Sequence, residues 1–179
     1  IKLRPGTNVA ILNMMLHFII KSKLYDKDFV RDRTEGFDNF IKEIERQDMD
    51  HLAKVAGVDK QLVKEAAIAY ATAKNSMEFH GLGVTEQEQG SKTVMLIADL
   101  AMITGNIGRK GVGVNPLRGQ NNVQGAADMG CQPHQGAGYY EVADEKIQNF
   151  YTEKYGVVHP TKAGLKIPEM FDGAINKDV

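Results

Sequence analysis

The run Gly113 to Gly130, GVNPLRGQNNVQGAADMG, gathers the side chains best suited to chemistry. Its one cation, Arg118, stands between Pro116 and Gly119, and four carboxamides follow, Gln120, Asn121, Asn122 and Gln124. A planar guanidinium donates paired hydrogen bonds to a carboxylate or phosphate, which a lysine cannot reproduce. Carboxamides both donate and accept, so they suit the edge of a heterocycle or the oxygens of a polar ligand. Glycines let backbone amides approach such a ligand closely. These are the residue types of a polar pocket wall. They also suit a surface loop of Asn and Gly turns, and composition leaves both readings open.

Other candidates are weaker. Gly81-Leu82-Gly83 is a fragment of a dinucleotide fingerprint, but Glu86 stands where the third glycine belongs. Cys131 and His134 have C-x-x-H spacing without a second pair, which argues against a metal site. His80 lies in an apolar stretch and reads as a satisfied core histidine. His17, His51 and His159 lack the companions of a triad. Lys21, Lys23, Asp26 and Lys27 read as a solvated face.

The elements that must position these residues follow from periodicity. Asn8 to Ser22 carries Val9, Leu12, Leu16, Ile19 and Ile20 at helical spacing, with Thr7 or Asn8 as its cap. A short helix is predicted after Tyr25. Another covers Phe37 to Arg46, with Phe37, Phe40, Ile41 and Ile44 inward. A third covers Asp48 to Val55 and stops at Gly57. Asp59 caps a long helix, Lys60 to Lys74, with Leu62, Ala66, Ala69, Tyr70 and Ala73 on its packed face. Ser76 to Leu82 reads as a buried strand ending in the Gly81 turn. A helix from Gln89 to Ile103 follows, with Val94, Ile97, Ala98, Ala101 and Met102 apolar and Gly105 closing it. Helix, strand, glycine turn, helix is the rhythm of an α/β layer fold, where ligands sit at the carboxyl ends of strands. Thr104 to Gly138 shows little periodicity. Asp144 to Tyr155 reads as the last helix before a proline-punctuated tail.

Composition bounds the function. The chain has 179 residues, 42% hydrophobic and 25% charged, with net charge -1, which excludes disorder and argues against nucleic-acid binding. One cysteine excludes a disulfide framework or a four-cysteine cluster within the chain. No apolar run reaches the ~18–20 residues of a membrane span. Twelve of the 18 glycines lie between Gly81 and Gly138, so the glycine marks one region.

The run VNPLRGQNNVQGAADMG closely resembles a signature of the molybdenum- or tungsten-dependent formate dehydrogenases of the molybdopterin oxidoreductase superfamily. LYDKDFVRDRTEGF, AAIAYATAKN, GLGVT and LAMITGNIGRKGVGVNP resemble the same family in the same order. The likeness covers about Gly6 to Tyr140 and fades beyond. It implies an α/β fold: the helix-rich half of a Rossmann-like parallel-sheet domain at 1–120, then the start of a neighbouring domain at 121–179. It implies an internal segment of a longer catalytic subunit, inactive alone. The implied cofactor is bis(molybdopterin guanine dinucleotide) with molybdenum or tungsten, with an iron–sulfur cluster held elsewhere in the parent chain.

Residue by residue, the resemblance implies Arg118 as the active-site arginine that binds the formate carboxylate. Gly119 and Gln120 lie near the same site. Gly81, Leu82, Gly83 and Glu86 form the strand-end turn against a guanine dinucleotide. Relatives commonly carry Gln at the position of Glu86, whose carboxylate would accept from a guanine edge but repel a pyrophosphate. The implied reaction is oxidation of formate to carbon dioxide, with two electrons passing through iron–sulfur clusters to an acceptor. The implied partners are the remainder of the catalytic subunit and electron-transfer subunits, in the cytoplasm. Two alternatives are a sister oxidoreductase with another substrate and a non-catalytic α/β interaction module.

Overall fold

The computed structural model describes residues 1–177, and the chain divides after Leu117 into two compact units. In the first unit five helices precede the first strand. They are α1 (Asn8–Lys21), α2 (Lys27–Arg33), α3 (Phe37–Glu45), α4 (Met49–Ala56) and α5 (Lys60–Thr72). Aspartates start three of them. Asp26 accepts from the Phe29 amide at 2.9 Å, Asp48 from Asp50 at 2.9 Å, and Asp59 from Gln61 at 2.8 Å. Each such cap contributes roughly 1 kcal/mol. Thr7 behaves differently from the expected cap: its hydroxyl donates back to the Arg4 carbonyl at 2.6 Å.

Helix α1 is the central element. Ala10, Met14, Leu16, Ile19 and Ile20 are all buried, so it is covered on more than one side. Leu16, Ile19 and Ile20 join Val30, Ile44, Ala67, Leu100 and Ile103 in one apolar cluster. Ala10 and Met14 join Ala53, Ala56 and Val63 in another. The packed face of α5 therefore runs through Val63 and Ala67, one position on from the expected Leu62 and Ala66. Leu62 is 46% exposed, while Val63 and Ala67 are fully covered. Small and apolar residues surround this helix so widely that spacing alone leaves its phase open.

Strand β1 (Met77–His80) leads into the one-turn helix α6 (Leu82–Thr85), then α7 (Gly90–Ile103) and β2 (Gly113–Pro116). The strands pair in parallel, Met77 opposite Gly113 through His80 opposite Pro116. The Leu117 amide adds one more bond, to the His80 carbonyl at 2.7 Å. Instead of being wholly buried, β1 is covered on one face. His80 is buried and Phe79 is 62% exposed, as the period-two alternation of a strand requires.

On the covered face, Glu78 is the uncommon residue. Tyr70 Oη donates to its Oε1 at 2.5 Å, and Oε2 is buried without a partner among the described residues. Burial pushes the Glu78 carboxyl up to about 7, against the opposing effect of the Tyr70 bond. Burial and the neighbouring carboxylate push the Tyr70 phenol up as well. The stability consequence has a definite sign. Below the ordinary glutamate range, Glu78 is neutral folded and unfolded. As pH rises toward 7 the unfolded chain releases its proton first, so stability falls. Denaturant melts between pH 5 and 8 are expected to show this decline in the native chain and a flatter profile in Glu78→Gln. The difference between the two isolates Glu78 from Asp99, which burial also raises, and from His17, which burial lowers. Parallel profiles would show that Glu78 is not the group responsible.

The second unit contains α8 (Val123–Asp128), a single 3-10 turn (Ala137–Tyr139), α9 (Glu145–Tyr155) and α10 (Ile167–Asn176). The buried Tyr151 anchors it, its hydroxyl donating to the Ala137 carbonyl at 2.6 Å. Helices α8 and α10 and strand β2 depart from the sequence expectation of loop. Pro168 sits in the first turn of α10, where its missing amide costs no helical bond. Glu169 closes that turn by accepting from the Lys166 amide at 2.7 Å.

Candidate functional site

The parallel pair fixes one edge of the first unit. Both strands end on the same side, so the turn after His80 and the exit through Leu117 lie together. Gly81 begins α6, and a Cβ there would stand 3.3 Å from the Leu117 carbonyl. Leu117 therefore passes close over the turn, at a spacing tight for any side chain. Gly83 faces open space, and Leu82 and Glu86 are exposed. Four of the residues singled out in the sequence thus form one accessible turn at the carboxyl edge of β1, where α/β sheets hold ligands. Glu86 ends that turn, its amide donating to the Leu82 carbonyl at 2.9 Å.

Arg118, Gly119 and Gln120 open the second unit and are all exposed. The Arg118 guanidinium donates from Nη2 to Gln124 Oε1 at 3.2 Å. Gln124 donates in turn to Asp128 Oδ1 at 2.9 Å and to Tyr139 Oη at 2.6 Å. Tyr139 Oη donates to the same Asp128 oxygen at 2.6 Å. The donations from Tyr139 and Gln124 hold the Asp128 carboxyl below the usual carboxylate range, and the charge of Arg118 adds to this. The neighbouring Asp128 raises the Tyr139 phenol. A guanidinium has five N–H donors. One side-chain bond among the described residues leaves most of them for an anion.

Sequence reasoning missed Asp128 and Tyr139. Their meeting depends on the chain folding back through the bridge between Gln135 and Glu141, which has no local signal. His80 departs from the sequence expectation of a satisfied histidine: its Nδ1 is buried without a partner among the described residues. A cavity of about 570 Å³ lies in the second unit, lined by Pro133, Gln135, Tyr151, Tyr155 and His159 among others, and it includes none of the expected site residues.

The chain matches the family described as molybdopterin oxidoreductase over residues 1–170. It is 45% identical over 168 residues to a formate dehydrogenase subunit alpha from Methanocaldococcus jannaschii, covering 94% of this chain and 25% of that relative. It is 42% identical over 180 residues to formate dehydrogenase H from Escherichia coli, covering 100% of this chain and 25% of that relative. The chain thus spans a quarter of the length of each. Among solved structures it resembles acetylene hydratase from Pelobacter acetylenicus with a TM-score of 0.57 and 26% identity, over 61% of this chain and 15% of that one. With a family match running through both units, over residues 1–170, the chain belongs to the molybdopterin oxidoreductases.

Proposed function

We propose that this chain is part of the catalytic subunit of a formate dehydrogenase, oxidising formate to carbon dioxide and passing two electrons onward. The observation that carries this reading is Arg118, an exposed guanidinium with a single side-chain partner among the described residues, in a run that resembles formate dehydrogenases. The 45% and 42% identities to formate dehydrogenase chains support it.

The residues present fit a molybdopterin guanine dinucleotide. Gly83 leaves open the space a Cβ would fill, and Gly81 lets Leu117 close over the turn. Gly81, Leu82, Gly83 and Glu86 would hold the dinucleotide. Glu86 is best suited to accept from a guanine edge, because a carboxylate repels a pyrophosphate. Gly119 and Gln120 would meet the cofactor next to Arg118. When bound, the group supplies the two-electron redox chemistry at molybdenum or tungsten. The protein's own part is position and charge. Arg118 binds the substrate carboxylate through two parallel N–H bonds and neutralises its charge. It also fixes the direction of the C–H bond, which lowers the entropic part of the barrier. Electron-transfer subunits and an iron–sulfur cluster outside these residues complete the proposed route.

Metal analysis and formate-dependent dye reduction by the intact protein test the assignment. Molybdenum or tungsten together with formate-driven reduction is expected. A metal-loaded protein that ignores formate but reduces another substrate would favour a sister oxidoreductase. Absence of both metals from protein made in a host that loads related enzymes would overturn the reading.

A further inference from the structure

Gln124 sits between two groups of fixed hydrogen-bonding sense. A guanidinium only donates and an ionised carboxylate only accepts. A carboxamide between them has one orientation, oxygen toward Arg118 and nitrogen toward Asp128. The observed bonds follow it, at 3.2 Å and 2.9 Å. The second N–H of the amide is taken by Tyr139 Oη at 2.6 Å, so neither end is left to swing.

The backbone around this group is costly to build. Gln124 and Asp128 lie one turn apart on α8, hence on one face. Asn122, which starts that helix, and Tyr139 both have left-handed backbones, with φ of 53° and 64°. A tyrosine in that region is strained and persists only where its surroundings hold it. The Tyr139 hydroxyl is held by the Asp128 carboxylate at 2.6 Å. A side chain at Gly125 would come within 2.3 Å of the Asn122 carboxamide oxygen, which would have to turn aside. Helix, turn and hydroxyl thus converge on the Gln124 amide, which accepts from Arg118.

We propose that Gln124, locked by Asp128 and Tyr139, is a positioning residue that sets the direction of the Arg118 guanidinium toward a bound carboxylate. The inference rests on the reading of Arg118 as the formate-binding arginine. It adds that the orientation of this cation is imposed from outside the substrate site, by three side chains that do not touch substrate.

The test uses the intact, cofactor-loaded protein, with formate as the probe. Gln124→Leu is expected to raise formate KM, and the calorimetric Kd for formate, about five- to tenfold, the worth of one hydrogen bond to a charged group near the surface. Maximal turnover should fall by a similar factor, because the direction of the guanidinium is part of the barrier. Asp128→Asn removes the acceptor-only partner and frees the amide to invert, so it should raise both constants about threefold. Tyr139→Phe should do the same by the loss of its hydroxyl, and these two variants decide the matter if Gln124→Leu does not fold. In an Arg118→Lys background the further effect of each should vanish. A merely structural role would lower turnover and stability equally in both backgrounds, and that result would overturn the inference. So would unchanged KM and Kd in all three variants. If Arg118→Ala itself leaves formate binding intact, the reading of Arg118 fails. If Arg118→Ala abolishes binding while the Gln124, Asp128 and Tyr139 variants bind as the native protein does, only the positioning role fails.

Discussion

Arg118→Ala is expected to lower kcat/KM for formate by roughly three orders of magnitude, the loss of a paired charge-assisted interaction at the reacting group. Two effects combine. On the proposed reading of Arg118, the carboxylate would lose its counter-charge, which would raise KM. It would also lose the fork that fixes its rotation, which would lower kcat because orientation is part of the barrier. Arg118→Lys separates them. An ammonium keeps the charge but presents no planar pair of donors, so it should recover binding better than turnover. Steady-state kinetics of the intact protein, with metal content confirmed for each variant, provides the measurement. Values of kcat/KM for Arg118→Ala within a few-fold of native would remove this arginine from the chemistry.

The second large effect is structural and concerns Gly90, the first residue of α7. It is buried, and a Cβ added there would stand 2.3 Å from the Thr85 carbonyl oxygen and 2.9 Å from its carbon. Those are backbone atoms at the end of α6, so no side chain can rotate aside. Alanine would gain about 1 kcal/mol of helix propensity over glycine. Overpacking against backbone costs more, and the net loss for Gly90→Ala should be roughly 2–3 kcal/mol. The two helices must separate, which displaces the Gly81–Glu86 turn. The variant should therefore melt earlier and, in the intact protein, retain less cofactor. An unfolding midpoint equal to that of the native chain would show that α6 yields without cost.

Much of the first unit could be read from the residues themselves. Asp48 and Asp59 mark helix starts, and Gly57 and Gly105 mark stops because both need a left-handed backbone. The turn at Gly81 follows its strand as read. What could not be read depends on contacts distant in sequence. Strand β2 is four residues with a glycine, an asparagine and a proline, poor strand formers, and it exists because β1 supplies its partners. Helix α8 is six residues with Gly125 inside, and the Asn122 that starts it is left-handed and makes no side-chain cap bond, so its start is easily read as a turn. Helix α10 contains Pro168 and Gly173, which read as breakers until their places in the helix are known. At the candidate site Arg118 stands out by type and setting. Its link to Gln124, and the link onward to Tyr139, cannot be inferred from spacing because the segment between them turns back on itself.

The parallel pairing of β1 with β2 also bears on how the chain reaches this state. Two parallel strands cannot be joined by a tight turn, and here α6 and α7 intervene between them. The ladder forms only after that crossover has been laid down, because the entropy of closing a long loop is spent before the strand bonds are gained. Helices α1 to α5, whose first bonds are local, have no such wait. The edge that carries the Gly81 turn is thus expected to assemble late in the first unit, and a slow folding step would be felt first there.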